Sequence, residues 1–265
     1  MNKENASKNF LKLLEIVEHL RGPDGCDWDK KQTAESLLPY FLEETYEVIE
    51  SVDKKNWENF QEELGDVLLH VVLQSQIASE ENKFTIVDSI KTLNKKLIKR
   101  HPHVFSDQVS RGISDVKRTW EEIKHDEKKR ESRLDGVPIS LPGLTRAQRL
   151  QEKASYAGFD WDHIDDAWGK MYEEIEELKK AIKNKDTENI QEEIGDVLFS
   201  VVNISRFLSY PAEDMLRKTN IKFEERFKVI EKVLEKRGKR LKDASLAEME
   251  EIWEMAKMIG IHIFK

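Results

Sequence analysis

Leu42-Glu43-Glu44-Thr45-Tyr46-Glu47, followed by Glu62-Glu63-Leu64-Gly65-Asp66-Val67-Leu68, decides the fold because it occurs twice. It returns as Tyr172-Glu173-Glu174-Ile175-Glu176-Glu177 and Glu192-Glu193-Ile194-Gly195-Asp196-Val197-Leu198. At the four matched acids, 174 − 44, 177 − 47, 193 − 63 and 196 − 66 all equal 130. Outward from there the match continues with small gaps. Asp27-Trp28-Asp29 returns as Asp160-Trp161-Asp162, Asn94-x-Lys96-x-x-x-Arg100 as Asn220-x-Lys222-x-x-x-Arg226, and Trp120-Glu121-x-x-Lys124 as Trp253-Glu254-x-x-Lys257. Several blocks in one order mean two copies of one module.

This duplication sets the expected domains: a first over 1–128, a linker over 129–145 and a second over 146–265. The linker carries Gly136, Pro138, Pro142 and Gly143, residues that break regular structure. A loop from Ser106 to Ile113 interrupts the first copy alone.

Each copy reads as helices. Leu11, Leu14, Val17 and Leu20 recur as on one helical face. A helix around Ala34 to Val52 meets another around Trp57 to Ala78 through Asp53-Lys54-Lys55-Asn56, a turn short enough for antiparallel neighbours. Thr85-x-x-Asp88 and Ser245-x-x-Glu248 fit helix N-termini, and Pro211 suits a first turn. With 36% charged residues, only 11 Gly and 6 Pro, the composition favours helix over sheet. The fold class is all-α: two tandem helical bundles.

A net charge of −8 argues against nucleic acid as the main partner, since backbone phosphates call for a basic footprint. Cys26 is the only cysteine, which excludes an intrachain disulfide and favours a reducing compartment. No apolar run approaches a bilayer span, so the expectation is a soluble, cytoplasmic protein without a membrane partner.

Residues i and i+3 share a helical face, so Glu44 and Glu47 project together, as do Glu63 and Asp66. An antiparallel hairpin brings both pairs to one point, and Glu174, Glu177, Glu193 and Asp196 repeat the design. A Glu-rich helix is ordinarily a solvated face. Here the acids interrupt an apolar face and persist in both copies. Gly65 and Gly195 sit mid-helix, each costing roughly 1 kcal/mol against alanine, which marks close approach of a backbone or ligand. Four clustered carboxylates repel unless a cation joins them. All-oxygen donors suit Mg²⁺, with Mn²⁺ as a substitute, over zinc or a di-iron centre.

Glu-x-x-Glu followed by Glu-x-x-Asp, in two copies, resembles the MazG family of all-α nucleoside triphosphate pyrophosphohydrolases. Gly25-Cys26-Asp27-Trp28-Asp29, Arg100 to Phe105 and Arg146-Ala147-Gln148 carry the likeness further. Asp27 departs from it, standing where the family usually has Pro. The resemblance implies Mg²⁺ on the acids and cleavage between the α and β phosphates of a nucleoside triphosphate. It also implies clearing of unwanted nucleotides and a homodimer. The implied nucleotide contacts of the second copy are Lys170, Glu174, Asn189, Glu192, Asp196, Asn203, Lys222, Arg226, Trp253 and Lys257. Lys96, Arg100, Trp120 and Lys124 are their phosphate-binding counterparts in the first. Lys222 and Arg226, four residues apart, share a face that can grip phosphates. Trp253 reads equally as a base-stacking ring or a core residue.

The copies differ at Asn203, whose counterpart 130 residues earlier is Leu73. An amide can read a base or sugar, so turnover is expected chiefly in the second domain. Two rival readings are weaker. A histidine–aspartate metal hydrolase, prompted by His101, His103, His125 and Asp126, lacks its histidines in the second copy. A non-enzymatic, metal-stabilised helical scaffold leaves the shared Lys, Arg and Trp without a purpose.

Overall fold

The computed structural model describes residues 2–106, 112–128 and 130–258. Among them are helices and turns but no strand. The chain forms two compact units, one over residues 1–108 and the other over 109–262.

The first unit holds α1 (Lys3–Arg21), α2 (Asp27–Lys31), α3 (Leu38–Asp53), α4 (Trp57–Glu80), α5 (Ile86–Arg100) and α6 (Pro102–Phe105). Its framework is the α3–α4 hairpin. Asn56 caps α4 by accepting from the Asn59 N–H at 3.2 Å, and Lys55 turns the chain at a φ of 53°. Thr85 and Asp88 form the reciprocal capping box expected for α5. The core gathers Val17 from α1, Leu37, and Val72, Leu73 and Ile77 from α4.

The second unit holds α7 (Ile113–Lys128), α8 (Gly143–Tyr156), α9 (Ile164–Asn184), α10 (Thr187–Phe207), α11 (Ala212–Lys236), a 3₁₀ turn at Leu241–Asp243 and α12 (Leu246–Met258). The α9–α10 hairpin repeats the first, with Lys185 at a φ of 55° and Asp186 as the cap. Ile230, Leu234 and Ile252 join α11 to α12. No described helix is long and apolar enough to cross a membrane.

Four differences from the sequence reading have local causes. Helix α7, assigned there to the first domain, packs with the second unit because Glu121 meets Arg149 at 3.0 Å and Lys153 at 3.1 Å on α8. The linker ends earlier than residue 145, since Pro142 caps a helix that begins at Gly143. Pro211 is likewise the cap of α11 and not part of its first turn. Ser245 accepts from the Glu248 N–H, but the Glu248 carboxylate pairs with Arg237 and Lys239, so that capping box is half made. Most of the loop expected from Ser106 to Ile113, together with residues 259–265, lies outside the described residues.

Candidate active site

The α9–α10 hairpin brings carboxylates together from sequence positions about a turn apart on each helix. Oxygens of Glu174, Glu177 and Glu193 all lie within 4.8 Å of one another. Glu174 is buried, Glu193 half-buried and Glu177 exposed. Burial, and then the charges of Glu177, Glu174 and Asp196, push the Glu193 carboxyl above the usual range. Asp196 thus acts on the cluster while standing outside the triplet. Glu193 Oε2 is buried without a hydrogen-bond partner. A buried acceptor without a partner, beside like-charged acids, is costly unless a cation completes it. The donor set is hard and anionic, with the Glu193 oxygen unsatisfied although Glu174 meets Lys170, and it fits Mg²⁺ or a similar ion.

The first unit assembles Glu44, Glu63 and Asp66 within the same 4.8 Å. Here Glu47 is the acid outside the triplet. Burial followed by the Glu47 carboxylate raises Glu63, and burial followed by Asp66 raises Glu44.

Around the triplets the copies diverge. Lys170 bridges Glu174 at 2.7 Å and Glu173 at 3.1 Å, and these bonds hold its amine protonated above the ordinary lysine value. Its counterpart is Tyr40, set edge-on to Trp28 at 6.0 Å. Gly65 and Gly195 do not mark close approach of this chain's own backbone, because a Cβ built at either meets nothing within 4 Å.

On α11 and α12, the Arg226 guanidinium lies over the Trp253 ring at 5.6 Å, and Phe223 packs on that ring at 5.2 Å. Trp253 is half-buried against the core of these helices. Lys222 is exposed, as is Lys257, which pairs with Glu254 at 2.6 Å. Asn189 donates through Nδ2 to the cap residue Asp186, and Glu192 is exposed. In the first copy, Lys96 and buried Arg100 lie in one unit, Trp120 and Lys124 in the other. Lys124 sits 3.6 Å from Glu121.

Asn203 lines a cavity of about 460 Å³ in the second unit, walled by α8, α10 and the loop between α8 and α9. Phe159, Trp161 and Phe199 give it aromatic surfaces, and Gln151 and Arg206 give it polar ones. Arg206 donates to Asp160 at 2.9 and 2.6 Å and to Asn203 Oδ1 at 2.8 Å. Leu73, the first-copy counterpart of Asn203, is instead a core residue. Sequence reasoning singled out Asn203 and not Arg206, although the same comparison reveals it: 206 − 130 is 76, and residue 76 is Gln.

The sequence model of the MazG nucleotide pyrophosphohydrolase domain matches residues 32–105 and again 168–244. A Thermotoga maritima protein named nucleoside triphosphate pyrophosphohydrolase/pyrophosphatase MazG is 50% identical over 94% of this chain and 95% of its own length. The nucleoside triphosphate pyrophosphohydrolase of Escherichia coli K12 is 41% identical over 93% of this chain and 96% of its own length. The Bacillus subtilis uncharacterized protein YabN is 44% identical over 94% of this chain, which spans 51% of that protein.

Proposed function

The chain belongs to the MazG nucleotide pyrophosphohydrolase family, and from that premise we propose that it hydrolyses nucleoside triphosphates to monophosphate and pyrophosphate, with Mg²⁺, chiefly in its second unit. The observation that carries this reading is the Glu174–Glu177–Glu193 triplet, with its buried, unpartnered oxygen. Relatives covering nearly the whole chain bear names for this activity.

Glu174, Glu177, Glu193 and Asp196 are the residues that would hold the cation. When bound, such an ion neutralises phosphate charge and makes water more acidic. The protein contributes position and charge. Lys170 fixes Glu174, and the exposed Glu177 at the edge of the triplet orients the attacking water. Lys222 and Arg226 neutralise the leaving pyrophosphate, as phosphoryl chemistry demands positioning more than covalent help. Trp253, half-buried, offers its remaining face to the ligand.

Three differences support the second unit as the seat of turnover: Lys170 against Tyr40, Asn203 against Leu73 and Arg206 against Gln76. Both hairpins also leave matching apolar side chains exposed, Leu64 and Ile194, Leu68 and Leu198, Val71 and Val201. Such faces support a homodimer.

The test is hydrolysis of mixed triphosphates in H₂¹⁸O with Mg²⁺. The label is expected in the monophosphate, with pyrophosphate as coproduct. Orthophosphate with a diphosphate product refutes the reaction class. Glu193→Ala is expected to remove most turnover and Glu63→Ala to leave most of it. Equal losses refute the assignment to the second unit.

A further inference from the structure

The chain carries a net charge of −8, yet α7 and α8 enclose a basic island. Between them lies a cavity of about 460 Å³, lined by Lys117, Lys124 and Arg149 against Glu121 and Glu152. At its centre one carboxylate serves three cations. Glu121 is only 11% exposed and meets Arg149 at 3.0 Å, Lys153 at 3.1 Å and Lys124 at 3.6 Å. Arg149 also bonds Glu152. A narrow cleft that shares Glu121 and Tyr156 with this cavity adds Arg118 and Arg133 against Glu122.

The acids do not match the cations in number, and the excess is shielded from water. The Lys153 side chain is 4% exposed and that of Lys124 26%. Arg130 Nη1 is buried without a hydrogen-bond partner. Burial, opposed by Glu121 and reinforced by Arg149, Arg130 and Lys153, pushes the Lys124 amine below its usual value. Crowded cations with limited access to water are costly unless an anion joins them.

The arrangement is not a copy of what α12 carries. There the same Trp-Glu-x-x-Lys spacing leaves Glu254 62% exposed and paired with Lys257 alone. On α7 the matching Glu121 is buried, because α8 supplies Arg149 and Lys153.

We infer that the α7–α8 cavity is a binding site for a phosphate-class polyanion, with inorganic pyrophosphate as the ligand that fits it. Lys117, Lys124 and the Arg149 fork are the donors facing the cavity, and Lys153 holds Glu121 away from the ligand. A multiply charged anion offsets the surplus where a single charge leaves repulsion behind. The volume, equal to about fifteen waters, leaves room for two linked phosphates. The site owes nothing to the hairpin acids, so its failure leaves the proposed hydrolysis untouched.

The experiment is calorimetric titration of the full chain with inorganic pyrophosphate in chelator, where the unfilled acid clusters repel an anion. Lys222→Gln and Arg226→Gln form the background, which removes the phosphate grip of α11. One equivalent of pyrophosphate is expected to bind, about tenfold tighter than orthophosphate at matched ionic strength, and to raise the Tm. Lys124→Gln should weaken it by about tenfold, and the exposed Lys117→Gln, which disturbs no ion pair, by about fivefold. Glu121→Gln removes a like charge from the ligand's surroundings and should tighten binding by about threefold. Absence of binding in the background protein overturns the inference. So does wild-type affinity in both lysine variants, or a folded Glu121→Gln that weakens binding as Lys124→Gln does, which makes Glu121 a structural hub and no more.

Discussion

Replacing Arg206 by glutamine, the residue at the matching first-copy position, should cost the second unit stability. The Arg206 side chain is 12% exposed and holds Asp160, itself 28% exposed, through two hydrogen bonds. A charge-assisted hydrogen bond contributes about 1.5–3 kcal/mol where it is shielded. Partial exposure of Asp160 screens the pair, so a loss of about 2 kcal/mol is the working figure for Arg206→Gln. For a unit of this size that is a fall in Tm of about 4–8 °C. Asp160→Asn should cost a similar amount, and the double variant little more than either, with a coupling energy of about 1.5 kcal/mol. Thermal and urea unfolding of the four proteins supply the cycle. Strict additivity of the two single changes refutes the argument.

Other outcomes follow from the acids and the hairpins. Millimolar Mg²⁺ should raise the Tm by mass action on the folded state, and Glu174→Gln with Glu193→Gln should abolish the gain once Glu44 and Glu63 are changed likewise; a persisting gain places the ion elsewhere. Because the folded-state Glu193 carboxyl titrates above its usual range, it favours folding while protonated and loses that contribution as pH rises through the raised value. In chelator, the stability of wild type relative to Glu193→Gln should therefore fall on going from acid to neutral pH, and a flat difference counts against the buried cluster. Gly195→Ala should raise the Tm by about 2–4 °C, since the helix gains about 1 kcal/mol and the added methyl meets nothing within 4 Å; a lower Tm means that packing at Gly195 is tighter than described.

The hairpins were legible because everything that makes them is local. Apolar spacing, the caps Asn56 and Asp186, and paired acids three residues apart all lie within one stretch, and duplication wrote each twice. What the sequence withheld depends on residues distant in the chain. Gln151 reaches Phe199 across 48 positions, and Arg206 reaches Asp160 across 46. No periodicity reports such pairs. The placement of α7 was hidden for the same reason: Trp120 and Lys124 matched the repeat, while Glu121 between them found its partners on α8.

Each carboxylate cluster is contained in a single helix–turn–helix, from Glu44 to Asp66 and from Glu174 to Asp196. Every carboxylate of a cluster rides on one continuous segment, and the left-handed lysine at 55 or 185 lies in the turn between its two arms. Such a device is portable. Copying the segment copies the cluster entire, with no distant partner to re-establish. The cavity beside Asn203 is assembled from separate stretches and has no such freedom. Acid clusters present in both halves, beside an Asn203–Arg206 pair present in one, are the arrangement expected when the cluster is local and its surroundings are not.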